Sequence, residues 1–232
     1  MNSKSKAKGK TVGALFLLLA PLLFSLPVIA QSLASNSGNE KYAIIYRFTN
    51  ERFDITMAEL DFDESGRGRF RFRKNESDQD IENPIALSAN TVRQVITILD
   101  QLSFLTSGEE YQYEKQFPHM GTHTIRVRQG NRQREVSFNY TRHPLMEKLQ
   151  LLLFSIRNQE ERYFNLDLAR HHYPLDTPQQ LRILQNEMKS KRIAEPERFL
   201  PILREMSLDE HLPLIARNHA QRLIKEIEKN KK

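Results

Sequence analysis

The sequence predicts an α+β fold, an antiparallel β-sheet with helices packed on one face, followed by a small C-terminal helical bundle. Three observations carry this expectation. Apolar residues recur with period two on both sides of the turn-forming "ESGRG" at 64–68 and of Gly130-Asn131. A one-sided helical stripe, Val92, Val95, Ile96, Leu99 and Leu102, stands between those two hairpins. Beyond Pro174 every apolar pattern has helical period.

The first thirty residues read as processing information. Lys4, Lys6, Lys8 and Lys10 precede the apolar "TVGALFLLLAPLLFSLPVIA", which ends in Val28-Ile29-Ala30. A basic start, an apolar run and a small-residue exit make a secretory signal peptide over 1–30, with Ala34 as the alternative cleavage point. An uncleaved N-terminal membrane anchor is the competing reading, because the run approaches spanning length. Residues 31–40, "QSLASNSGNE", read as a flexible leader. Export makes the chain periplasmic or secreted.

Removing that peptide changes the charge. The chain has 35 Lys+Arg against 29 Asp+Glu, and the first thirty residues hold four lysines and no acid. The remainder is 31 against 29, or +2, too balanced for a general phosphate-binding surface. There is no cysteine, which rules out disulfides, thiolate metal sites and a cysteine nucleophile.

From residue 41 a sheet and helix domain is expected to run to 170. "KYAIIYRFT" is a strand, and "FDITMAELDFD" is a second whose inward parity changes near Met57 and Ala58, the mark of a bulge. Folding at "ESGRG" sets Phe62 against Phe70 and Leu60 against Phe72 on one face. On the other face Asp61 meets Arg71, Glu59 meets Arg73 and Asp63 meets Arg69. The "RGRFRFR" segment is therefore a strand whose arginines are neutralised across the hairpin, and nucleic acid is not an expected partner.

Residues 74–87 read as an acidic, solvated connection, without the glycine and the final glutamate of a calcium loop. Ser88 caps the first helix. "SGEEYQYEKQF" suggests a further strand. "THTIRVR" and "REVSFNY" form the second hairpin, with Ile125 and Val127 facing Phe138 and Val136 and Arg128 opposite Glu135.

Pro144 opens a helix whose "LQLLLFSI" is apolar all round, so it is expected to face the sheet on one side and the C-terminal part on the other. "NQEERYFNLDLARHHYPLD" reads as a mixed boundary stretch. The helical lobe then spans 171–232. Its first helix begins with a Thr177, Pro178, Gln180 capping box, its second at Pro196, and its third near Asp209. The stripe of the third is Leu212, Ile215, Leu223 and Ile227.

Chemistry-bearing constellations are sparse. No G-x-S-x-G, H-E-x-x-H, Walker A or G-x-G-x-x-G pattern occurs, and no catalytic residue is assigned. No cofactor is expected. His119, His123 and His143 flank one hairpin and are the candidate metal ligands, imidazole being a zinc donor. His171, His172 and Tyr173 mark a candidate binding site at the lobe junction. Arg126, Arg128, Arg132 and Arg134 are a candidate patch for an anionic cell-wall polymer.

The function expected is a non-enzymatic envelope or periplasmic binding or scaffold module, whose partner is another envelope protein. Membrane contact is expected only through an uncleaved signal peptide. The alternative is a periplasmic hydrolase using histidine and carboxylate groups, with zinc on the three histidines.

Overall fold

The computed structural model describes residues 41–75 and 77–230; the expected signal peptide and the leader lie outside them. Six antiparallel strands form one sheet. In chain order they are β1 (Tyr42–Thr49), β2 (Ile55–Asp63), β3 (Arg67–Lys74), β4 (Asp80–Ala86), β5 (Thr122–Gln129) and β6 (Arg132–Phe138). Their spatial order is β4-β3-β2-β1-β5-β6. Helix α1 (Ala89–Gln101) follows the first four strands, and α2 (Pro144–His172), α3 (Thr177–Lys189), α4 (Leu200–Leu208) and α5 (Leu214–Asn230) follow the sheet. The chain is thus α+β. Among the described residues no helix is long and apolar enough to cross a membrane.

Alternation decides which face of the sheet is covered. Ile44, Tyr46 and Phe48 of β1, Leu60 and Phe62 of β2, Phe70 and Phe72 of β3, and Ile125 and Val127 of β5 are all buried. They form one core with Val92, Val95 and Leu99 of α1 and with Met146, Leu149, Leu153 and Ile156 of α2. Ser88 caps α1 by accepting from the Thr91 amide at 3.2 Å. Removing that acceptor by Ser88→Ala should cost about 1 kcal/mol, measured by urea unfolding.

Both hairpins keep their expected faces but not their expected partners. Leu60 lies across from Phe70, Asp61 from Arg69 and Glu59 from Arg71. Ile125 lies across from Val136 and Arg126 from Glu135. Each register is two residues from the expected one, so no side chain changes face. The cause is the tightness of the turns. Gly66, at φ +77°, lets its amide reach the Asp63 carbonyl at 2.9 Å, while Asp63 Oδ1 accepts from the Ser65 amide at 2.8 Å. The second hairpin closes on Gly130-Asn131 with Gln129 opposite Arg132. The parity change in β2 is a register shift between Ile55 and Met57.

The acidic connection is corrected to a strand. Ile85 is buried and Ile81 packs on the core, while Asp80 and Glu82 share the other face with arginines of β3. Pro84 is tolerated because β4 is an edge strand. The strand expected in "SGEEYQYEKQF" does not form. There the Gln112 side chain accepts from the Asn139 amide at 2.9 Å, and the Tyr113 amide donates to the Tyr140 carbonyl at 2.9 Å.

The mixed stretch before Pro174 is also corrected, since α2 runs unbroken to His172. Its sharing between two cores occurs along its length rather than around its girth. Met146 to Ile156 serve the sheet core, whereas Leu166 joins a second core with Leu181, Leu184, Phe199, Leu203, Ala220 and Leu223. Leu151, expected inside, is more than half exposed. At the start of α3, Thr177 donates to the Pro174 carbonyl, so the expected capping box is absent. The second expected helix begins as a 3-10 turn, Pro196–Phe199, that leads into α4. The third, α5, starts at Leu214, after the Asp209–Leu212 turn.

Candidate interaction surface

A belt of buried polar residues lies where α2 passes from one core to the other. Arg157, Asn158, Gln159 and Glu160 are all buried. Gln159 Oε1 accepts from the Glu195 amide at 2.7 Å, and its Nε2 donates to Glu160 Oε1 at 3.1 Å. Glu160 receives Arg198 at 2.7 Å, and Glu195 receives the Ser88 amide at 2.8 Å. Burial pushes the Glu160 carboxyl up against the pull of Arg198. Each of these side chains has a partner within the chain, although Arg157 Nε and Arg198 Nε are buried without a hydrogen bond. The belt ties the helical part to the sheet.

The histidines do not converge. His123 is buried on β5, its Nδ1 2.7 Å from Tyr46 Oη and its Nε2 3.1 Å from the Gln150 amide nitrogen. Burial, helped by the Arg157 charge, depresses its pKa to about 4. His143 caps α2 by accepting from the Met146 amide through Nδ1 at 3.3 Å, and His119 is exposed on a 3-10 turn. Among the described residues no group of three or more His, Cys, Asp or Glu could hold a metal ion. The three-histidine arrangement is not assembled: His123 is buried with both ring nitrogens engaged, His143 caps α2, and His119 is exposed on a separate turn.

The four arginines split between faces. Arg126, paired with Glu135 at 2.5 Å, and Arg128 lie on the open face of the sheet. Arg134 points the other way, stacked over Phe104 and Tyr111 and donating to the Phe104 and Glu109 carbonyls. Arg132 sits at the turn and donates to Gln129. The open face alternates in charge. Arg69 meets Asp61 at 3.0 Å, Arg73 meets Asp80 at 2.7 Å, and Glu59 is buried between Arg47 and Arg71. The depression among them is about 310 Å³.

His171, His172 and Tyr173 close α2 and are exposed. The His171 Nδ1 donates to the Asp167 carbonyl at 2.9 Å, and the rings follow one another at 6.4 Å spacing. What the sequence did not reveal is the company they keep. Leu175 is 84% exposed, Leu208 78%, Ile215 65%, Leu214 63% and Tyr173 57%.

These five belong to one end of the helical part. Arg170, in the last turn of α2, pairs with Glu205 near the end of α4 and with Asp209 at 3.5 Å. Gln185 of α3 bonds both His219 and Glu226 of α5, at 3.2 and 3.1 Å, so those helices lead away side by side. Their starts, beside Leu175 and at Leu214, therefore share an end with the close of α4. Ile215 was expected in the buried stripe. The buried positions are Ala216, Ala220, Leu223 and Ile227, and Ile215 is one residue out of phase with them.

No protein-family model matches the chain, and no curated protein matches it. The reading of function rests on the residues alone.

Proposed function

We propose that the chain is an exported, non-enzymatic binding or scaffold module that docks another envelope protein on the exposed end of its helical part. The observation that carries the reading is the gathering of Tyr173, Leu175, Leu208, Leu214 and Ile215 at that end. Scattered exposed apolar side chains need no explanation, whereas a contiguous apolar patch on a soluble surface marks an interaction site. All five are more than half exposed. Two buried titratable groups, by contrast, are engaged in holding the fold: His123 with Tyr46 and Gln150, and Glu160 with Arg198.

The test separates docking from folding. Combined Leu175→Ser, Leu214→Ser and Ile215→Ser substitutions should change stability by no more than about 0.5 kcal/mol each, because the side chains are already in water. The same variant should lose its cross-linked complex in intact cells while its abundance is kept. A complex that persists at wild-type yield contradicts the reading.

A further inference from the structure

The chemistry around the apolar end narrows the occupant. Five carboxylates surround it: Asp167 and Asp176 beside the α2–α3 corner, and Glu205, Asp209 and Glu210 along the α4–α5 corner. Against them stand Arg170, already paired with Glu205 and Asp209, and Arg217 in the first turn of α5. With its histidines neutral this end carries a net negative charge. Part of that charge serves the helices. Asp176 precedes α3, and Asp209 accepts from the His211 amide at 3.1 Å ahead of α5, where a negative group is favoured. Asp167 lies before the last turn of α2 and Glu205 in the last turn of α4, positions at which the helix dipole gives a negative group no support.

The opposite end of the same helices is basic. Lys189, Lys191 and Arg192 close α3, and Lys225 and Lys229 lie in the last turns of α5. Of the large apolar side chains exposed among the described residues, Leu151 stands near it, one turn of α2 from Ser155, whose hydroxyl reaches the Lys191 carbonyl at 3.5 Å. A second copy would offer positive charge to the acidic end with Leu151 beside it, one apolar side chain against the five exposed there. An anionic lipid surface would be repelled.

Building on the docking reading above, we infer that the occupant is a cationic amphipathic segment of a partner protein. Its apolar side chains would cover Leu175, Leu208, Leu214 and Ile215, and its flanking lysines or arginines would face Asp167, Glu205 and Glu210. Such a pairing uses apolar burial for affinity and charge for selection and encounter rate.

Three probes test it on the purified chain. They are a helical peptide of leucine and lysine at amphipathic spacing, its glutamate-for-lysine counterpart, and phosphatidylglycerol vesicles. The lysine peptide should bind, and its Kd should rise about tenfold in Leu175→Ser/Leu214→Ser and again in Asp167→Lys/Glu210→Lys. It should also weaken several-fold between about 50 and 300 mM salt. The inference is overturned if the glutamate peptide binds as tightly. It is equally overturned if the lysine peptide fails to bind or ignores both pairs of substitutions, or if vesicles bind through the same residues. A partner complex lost on serine substitution, together with a failed lysine peptide, would leave the docking end standing and remove only its charge preference.

Discussion

Replacing Arg198 with alanine should destabilise the protein by about 3 kcal/mol, because it leaves the Glu160 carboxylate buried without its counter-charge. The Glu160 side chain is only 4% exposed and has two partners, Arg198 at 2.7 Å and the Gln159 amide at 3.1 Å. One amide donor is a poor replacement for hydration of a buried anion. The guanidinium also stacks over Tyr163 at 5.2 Å, so some packing is lost with it. A second substitution separates the two contributions. Glu160→Gln in the Arg198→Ala background removes the stranded charge and should restore more than half of the lost stability. Urea unfolding of the four proteins in the cycle measures this. A loss below about 1 kcal/mol, or no recovery in the double variant, would mean that water reaches Glu160 and that the belt is not a closed joint.

Acid should expose the second buried group. The His123 ring faces Tyr46 and Phe48 from β1, Phe138 from β6, and Gln150, Phe154 and Arg157 from α2. With Gln150 donating to Nε2, the neutral ring carries its proton on Nδ1 and donates to Tyr46 Oη. A second proton would remove the acceptor for Gln150 and place a cation near Arg157. The unfolded chain takes that proton near pH 6.5, whereas the folded chain takes it at about 4. The folded state therefore binds fewer protons between those values, and stability falls as pH falls through that window. The span corresponds to roughly 3 kcal/mol, complete near pH 4.

His219, whose pKa is also depressed by burial, acts in the same direction, and Glu160 acts in the opposite one. The assignment rests on the difference between wild type and His123→Gln. The stability of the variant should change much less between pH 6.5 and 4. Parallel curves for the two proteins would contradict it.

The sheet was legible because alternation survives a register error. Phe70 and Phe72 face inward whether the hairpin closes one way or the other, so face assignment held while pairing did not. The fourth strand was missed because Asp80, Glu82 and Pro84 masked the period set by Ile81 and Ile85. Edge strands tolerate those residues, and alternation was the better guide. The long α2 was also readable. Met146, Leu149, Leu153, Ile156, Glu160, Tyr163, Leu166 and Ala169 keep helical spacing, and only the polarity of Glu160 conceals the continuity.

The polar belt itself could not be read locally. Gln159 and Glu160 find their partners in Glu195 and Arg198, more than thirty positions along the chain. The apolar end was hidden for a related reason. Leu175 lies on the α2–α3 corner and Leu208 and Leu214 on the α4–α5 corner, and only the packing of α3 against α5 and the Arg170 pairs bring the two corners together. Ile215 was absorbed into a stripe that Ala216 and Ala220 in fact occupy, small residues being weak markers of burial.

Docking on this end is tested most directly by a photo-cross-linking scan in intact cells. A photoreactive residue would stand in turn at Leu175 and Ile215, at Arg69 on the open sheet face, and at Lys189 on the basic end of the helices. Cross-links from Leu175 and Ile215 to one envelope protein, with Arg69 and Lys189 silent, are the expected result. Cross-links concentrated at Arg69 or Lys189, with none from Leu175 or Ile215, would contradict it and move the interaction to another face of the molecule.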